Sequence, residues 1–259
     1  MTEQDLLYEV KDSVAYITIN RESQKNSIST EALDLFHQYL ERASSDNAVR
    51  AVQISGAGEK AFCTGADLGG AVQPEESEPP SAFQNFADLL KKIKNFPKPV
   101  LGKVKGYCLA GGMGLMLACD IVVADKNSKF GTPEVNVGLF PMMIGALIFQ
   151  NMFPKQAMDM ILTGTRFGAD KALSSGLITQ VVEPEELDNT VEEKLQTLAG
   201  KSPIGIRLGK EAFNNIRNMQ IDEALDYLAR KLGEVTSTED AKEGIEAFLE
   251  KRTPEFKGK

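Results

Sequence analysis

The sequence predicts an α/β fold, and two observations carry that prediction. Through the first half, short β-rich runs alternate with segments whose apolar residues recur at three and four positions. After Met142 the pattern turns helical, with a single extended run at residues 178–182.

The elements follow in order. Residues 6–10 and 14–20 read as strands joined at Lys11 and Asp12, a hairpin. Ser29 and Thr30 suit the cap of a helix whose apolar face holds Leu33, Phe36 and Leu40. Residues 49–54 form a strand that turns at Gly56-Ala57-Gly58. The acidic, proline-bearing residues 73–81 read as a mobile surface loop. A helix follows from Ala82 to Phe96 and stops at Pro97-Lys98-Pro99. Residues 100–105 are a strand, 106–114 a glycine cluster, 115–119 a helix and 121–124 a strand. Helical patterns then run to Leu249, interrupted at Pro154, Gly164, Gly176, Pro184 and Pro203. The expected organisation is a core domain over residues 1–200 and a C-terminal helical subdomain over 201–259.

Composition narrows the function. The chain has 259 residues, 42% of them hydrophobic and 25% charged, enough for one packed core. Cys63, Cys108 and Cys119 are odd in number and show no CxxC spacing, so a disulfide framework or zinc site is not expected and a reducing, cytoplasmic setting fits. His37 is the sole histidine, which argues against a site built on several imidazoles. The first ten residues do not read as a secretory signal, and no apolar run is long enough to span a bilayer. A formal net charge of −8 argues against a nucleic-acid surface. Neither a nucleic-acid nor a membrane partner is expected.

Three segments are candidates for chemistry. The first runs Gly56-Ala57-Gly58-Glu59-Lys60-Ala61-Phe62-Cys63-Thr64-Gly65-Ala66-Asp67-Leu68. Its start matches a GxGxxA dinucleotide fingerprint, but Cys63-Thr64-Gly65 stands where the helix should begin. Alternatively, Gly65 turns the backbone so that the Ala66 N–H faces a ligand, or the glycines serve the fold alone. The second segment, Gly106 to Gly114, lies between a strand and a helix. Small residues there let a ligand reach free N–H groups at a helix N-terminus, or simply let helices pack closely. The third is Phe130-Gly131-Thr132-Pro133-Glu134-Val135-Asn136-Val137-Gly138-Leu139-Phe140-Pro141. Glu134 is a carboxylate in an apolar stretch, where burial raises a pKa toward acid/base use, unless it is an ordinary exposed loop acid.

Taken together and in this order, these segments resemble the crotonase (enoyl-CoA hydratase/isomerase) superfamily. The resemblance rests on Phe62-Cys63-Thr64-Gly65-Ala66-Asp67-Leu68, residues 106–120, residues 130–138 and the tail Glu243-Gly244-Ile245-Glu246-Ala247-Phe248-Leu249-Glu250-Lys251-Arg252, and it spans nearly the whole chain. It implies a spiral of ββα turns forming two sheets, with C-terminal helices that build a homotrimer or homohexamer. It also implies an acyl-CoA thioester as substrate and no cofactor beyond the CoA that the substrate carries, and no metal. By resemblance, the N–H groups of Ala66 and Gly111 form an oxyanion hole, and Glu134 moves the proton. Ala66, Asp67, Leu68 and Gly69 match the stretch that lines the CoA channel, and Lys25 falls where the family places a basic residue near the CoA phosphates.

One departure matters. Hydratases of this family carry two glutamates, one matching Glu134 and the other at the position of Gly114. With Gly114 unable to move a proton, the pattern is closest to enoyl-CoA isomerases that work with one glutamate. Dienoyl isomerases need further acids, where this chain has Gly114 and Met142, and the dehalogenase-like branch uses a histidine that His37 does not match in position. Asn136, Met142 and Met143 are candidates for lining an acyl pocket. The expected function is double-bond isomerisation through an enolate. The alternatives are hydration of an atypical acyl group and a catalytically weak acyl-CoA-binding homologue.

Overall fold

The structure is a computed structural model and describes residues 4–67 and 82–259. Two strands, β1 (Leu6–Lys11) and β2 (Val14–Ile19), form the expected antiparallel hairpin. Asp12 and Ser13 at its tip both take positive φ, the geometry that matches a tight hairpin to strand twist. Helix α1 (Thr30–Ser45) starts where the cap signal placed it: Ser29 Oγ accepts the Ala32 N–H at 3.0 Å. Its buried face carries Leu33, Phe36 and Leu40.

Three successive units then repeat one pattern. β3 (Ala51–Gly56) and β4 (Ala61–Cys63) precede α2 (Ala82–Lys94). β5 (Val100–Val104) and β6 (Tyr107–Leu109) precede α3 (Gly111–Ala118). β7 (Ile121–Asp125) and β8 (Lys129–Gly131) precede a short 3-10 turn, Pro133–Val137, and α4 (Met142–Asn151). The first strand of each unit joins a six-stranded sheet, ordered β1-β2-β3-β5-β7 with β10 (Gln180–Val182) at its edge. The second joins a four-stranded sheet, ordered β4-β6-β8 with β9 (Phe167–Gly168). This is the ββα spiral that the resemblance implied.

The remaining helices are α5 (Pro154–Thr163), α6 (Ala169–Ser174), α7 (Leu187–Ala199), α8 (Pro203–Asn215), α9 (Ile221–Thr236) and α10 (Glu239–Glu250). Pro154 and Pro203 each open a helix, where a missing N–H is harmless, and Gly164 closes α5 in the left-handed region. Alternation along the six-stranded sheet splits its side chains between two apolar layers. Ala15, Ile17, Ile19, Val52 and Ile54 face the main core, while Val14, Ala51, Leu101 and Val123 pack against Leu187, Val191 and Leu195 of α7.

Several boundaries differ from the sequence reading. The strand expected at 49–54 runs Ala51–Gly56, and the glycine cluster contains β6 and the first turn of α3. Strands β4, β8 and β9 were not anticipated, since two or three residues carry no readable alternation. The dinucleotide alternative has no support in the fold: the chain continues from Gly58 into strand β4, not into a helix that would meet a pyrophosphate. The loop expected at 73–81 lies outside the described residues, and no described helix is long and apolar enough to cross a membrane.

Candidate active site

Strands β4, β6 and β8 lie side by side and run parallel, so their C-terminal ends emerge at one edge of the sheet. Adjacent strands are about 4.8 Å apart. The turns that follow them, at Gly65-Ala66, Ala110-Gly111 and residues 132–134, are therefore neighbours. In open parallel arrangements this is the edge at which ligands bind.

Gly65 has φ +99°, a conformation that glycine alone adopts freely. The next residue pairs with Ile28: the Ile28 N–H donates to Gly65 O at 2.8 Å, and the Asp67 N–H donates to Ile28 O at 3.0 Å. Backbone groups alternate in direction along a strand, so the Ala66 N–H points away from Ile28. Across from it, Gly111 is the first residue of α3 and has no acceptor within its helix. The two turns are in close contact: a Cβ on Gly65 would lie 2.8 Å from Ala110 Cβ and 3.1 Å from the Gly111 nitrogen. A Cβ on Gly111 would lie 3.4 Å from Gly65 Cα and 3.7 Å from the Ala66 nitrogen. Among the described residues, neither N–H donates to a protein acceptor.

Ala110, which caps α3, has φ 50° and ψ −129°, well outside the regions open to L residues. Such strain is of order 1–3 kcal/mol and persists where surrounding contacts impose it. Here the Ala110 N–H is tied to Gly131 O at 3.0 Å, which links the second turn to the third. Sequence reasoning missed this residue, because alanine gives no signal for positive φ. It also missed Phe86 of α2, whose Cζ would stand 3.3 Å from a Gly111 Cβ, so that an aromatic edge borders the two amides.

Glu134 sits in the first turn of the 3-10 segment after β8, with Pro133 before it. Among the described residues its Oε2 is buried without a hydrogen-bond partner. Burial pushes its carboxyl pKa up from the ordinary value, partly offset by a bond from its own backbone N–H. Thr132 Oγ1, two residues earlier, is also buried and has no partner among the described residues. The Gly114 backbone lies within α3, and a Cβ there would stand 2.4 Å from Ile144 Cγ2 and 3.4 Å from Leu90 Cδ1. Apolar atoms fill the side of the helix from which a second acid would project.

The other sequence candidates divide. Lys25 is exposed, in the left-handed region, and its carbonyl accepts from Thr64 Oγ1 at 3.2 Å, so it borders the first turn. The Asp67 carboxylate meets Arg21 Nη2 at 2.8 Å. Leu68 and Gly69 lie outside the described residues. Asn136 packs over Gly164, with its Nδ2 2.7 Å from where a Cβ would be. Met142 is mostly exposed and Met143 half-buried. His37 contacts Asn85 O at 3.3 Å between α1 and α2, away from the three turns. In the tail, Arg252 is held by Glu243 at 2.6 and 2.8 Å.

This arrangement has counterparts among known proteins. The sequence model of the family described as "Enoyl-CoA hydratase/isomerase" matches residues 9–259. The "(E)-benzylidenesuccinyl-CoA hydratase" of Thauera aromatica is 34% identical over 251 residues, 96% of this chain and 98% of that protein. The "Short-chain-enoyl-CoA hydratase" of Clostridium acetobutylicum is 33% identical, covering 97% of each chain. The crystal structure of an enoyl-CoA hydratase from Bacillus anthracis superposes with a TM-score of 0.94 at 32% identity, covering 99% of this chain and 100% of that one. With the ββα spiral, the paired free amides and a match along nearly its whole length, the chain belongs to the enoyl-CoA hydratase/isomerase (crotonase) family and is an acyl-CoA-binding enzyme of that type.

Proposed function

We propose that the enzyme moves a double bond along an enoyl-CoA, with Glu134 as its single proton carrier. The observation that carries this reading is the Gly114–Ile144 contact. Where hydration by two carboxylates needs its second acid, an isoleucine methyl lies 2.4 Å from the nearest position a side-chain carbon could take. Glu134, in contrast, keeps a buried carboxylate oxygen with no partner among the described residues.

The chemistry then runs as follows. The thioester oxygen of a 3-enoyl-CoA accepts hydrogen bonds from the N–H groups of Ala66 and Gly111. The Glu134 carboxylate takes a proton from C2, and the electron pair delocalises through the carbonyl to give a dienolate. Two preset donors stabilise the oxyanion; one such donor is worth about 3 kcal/mol of barrier. The protonated Glu134 returns the proton to C4, leaving a 2-enoyl-CoA. No atom is gained or lost, and no group beyond the CoA of the substrate is required. Lys25 is assigned to the CoA phosphates, and Leu68 and Gly69 to the CoA channel.

A second reading is hydration of an acyl group bearing its own carboxylate. It is favoured by the relative named for a benzylidenesuccinyl-CoA, a substrate whose name contains a second acid. We further propose a homotrimer or homohexamer, with residues 1–200 as the core and 201–259 as the assembly unit. In support, Phe213, Ile221 and Leu232 are exposed on α8 and α9, and Phe248 of α10 is 81% exposed.

The test is ultraviolet absorbance of the conjugated thioester. Absorbance rising with a 3-enoyl-CoA and steady with crotonyl-CoA is the expected result. A fall with crotonyl-CoA would replace isomerisation by hydration, and no change with either would remove the isomerase reading.

A further inference from the structure

Arg21 lies outside the three turns, in the loop after β2, yet its side chain is bonded to residues on both sides of the first of them. Its side chain is only 13% exposed. Nη2 meets the Asp67 carboxylate at 2.8 Å, while Nη1 donates to Ser27 O at 2.6 Å and Ser27 Oγ at 3.0 Å. Nε pairs with Asp5 at 3.0 Å. The loop that carries it is closed as well: the Arg21 N–H donates to Asn26 Oδ1 at 3.1 Å, and buried Asn26 donates from Nδ2 to Ala57 O and Ala61 O at 2.9 and 2.6 Å.

The positions of these contacts are informative. Ser27 precedes Ile28, the residue that bridges Ala66, and Asp67 follows Ala66. The guanidinium therefore grips one residue on each strand of the two-residue bridge that aims the Ala66 N–H. Its planar, multiply donating fork can hold two groups in a fixed relation where a lysine would hold one. Hydrogen-bond donors in a site act well only when held to within roughly 0.5 Å and 10–20° of the productive geometry.

We propose that Arg21, acting through Asp67 and Ser27, is a positioning residue that fixes the direction of the Ala66 N–H toward the thioester oxygen. This rests on the reading of the Ala66 and Gly111 amides as oxyanion donors. The alternative is that Arg21 only ties the chain's first strand to the start of α1 through Asp5.

The test reads polarisation of the carbonyl directly, independent of which reaction follows. Butyryl-CoA labelled with carbon-13 at C1 is saturated and inert to isomerisation and hydration alike. Its bound C=O stretch, from isotope-edited infrared spectra, should move to lower frequency in the wild type. In Arg21→Gln and Asp67→Ala most of that movement should be lost, and kcat should fall up to ~100-fold. KM should change by less than about threefold, since a hydrogen bond to the neutral carbonyl is worth far less than one to the oxyanion of the transition state. Asp67→Asn keeps an oxygen facing the guanidinium and should recover part of the shift. If Arg21→Gln does not fold, the two Asp67 variants carry the test. A lower melting temperature with carbonyl shift and kcat per folded enzyme unchanged would overturn the proposal. A wild type with no shift at all would overturn the donor reading, and this proposal with it.

Discussion

Ile144 of α4 stands directly over Gly114 of α3, with its Cγ2 2.4 Å from where a Gly114 Cβ would be. Ile144 is 3% exposed, and Cγ2 is a branch methyl fixed to its Cβ, so it cannot swing aside as a long side chain would. The absence of the second acid is thus coupled to a residue thirty positions later. A glycine inside a helix is ordinarily worth replacing, because alanine gains about 1 kcal/mol. Here the order should reverse.

Gly114→Ala is expected to destabilise by about 1–3 kcal/mol through overpacking. In an Ile144→Ala background the same change should be neutral or stabilising, giving a coupling energy of about 0.5–3 kcal/mol in a double-mutant cycle. Chemical denaturation of the four proteins measures it. Gly114→Glu alone should be poorly folded and gain no hydration of crotonyl-CoA. Additive effects would mean that the two side chains do not compete for one space.

Neighbouring glycines at the start of α3 should separate function from folding. A Cβ on Gly112 would lie 2.2 Å from Cys63 O, a backbone atom that cannot yield, so Gly112→Ala should lose stability first. A Cβ on Gly111 would meet Phe86 Cζ at 3.3 Å and Gly65 Cα at 3.4 Å, contacts that small shifts relieve. It would also crowd the space beside the Ala66 amide. Gly111→Ala should therefore fold nearly as well as the parent but lose ~100-fold or more in kcat, the scale of one oxyanion donor. Equal activity in Gly111→Ala and the parent would remove Gly111 from the site.

What could be read from the sequence, and what could not, follows the range of the interactions involved. Ser29 announced α1 because a cap is a contact over three residues, and Asp12 lies in a turn closed locally. Gly65-Ala66 and Ala110-Gly111 were legible as small-residue turns, and through a resemblance as a pair. Their proximity depends on β4 and β6 pairing across more than forty positions, which no local period encodes. Ala110's positive φ, Phe86 beside Gly111 and Ile144 over Gly114 are likewise products of packing. The start of α3 was hidden for a related reason: glycines that are poor helix formers occupy it because side chains there would collide.

Lys25 offers a test of substrate orientation. It is exposed and carries its charge beside the first turn. A surface lysine on a phosphate contributes up to ~1 kcal/mol, screened by salt. Lys25→Met should raise KM for acyl-CoA by no more than about fivefold, leave kcat unchanged, and have no effect on the matching pantetheine thioester, which lacks the nucleotide phosphates. A loss of the same size for both substrates would place Lys25 elsewhere in the mechanism.

Glu134 gives a prediction with two signs. Burial raises its pKa, so as a base it becomes active only above that raised value. The kcat/KM of the wild type should climb with pH through it and then level off. Stability should move the other way. Between the unfolded pKa and the raised folded one, the native protein binds more protons than the unfolded chain, so stability falls as pH rises through that window. Glu134→Gln removes both effects. It should reduce kcat by ~100-fold to 10,000-fold, the usual contribution of a general base. It should also match the wild type in melting temperature at low pH and exceed it once the window is passed. A variant that loses activity without gaining stability at high pH would mean that the carboxylate is not held in an apolar setting. A variant that gains stability and keeps its activity would mean that the Glu134 carboxylate is desolvated but moves no proton.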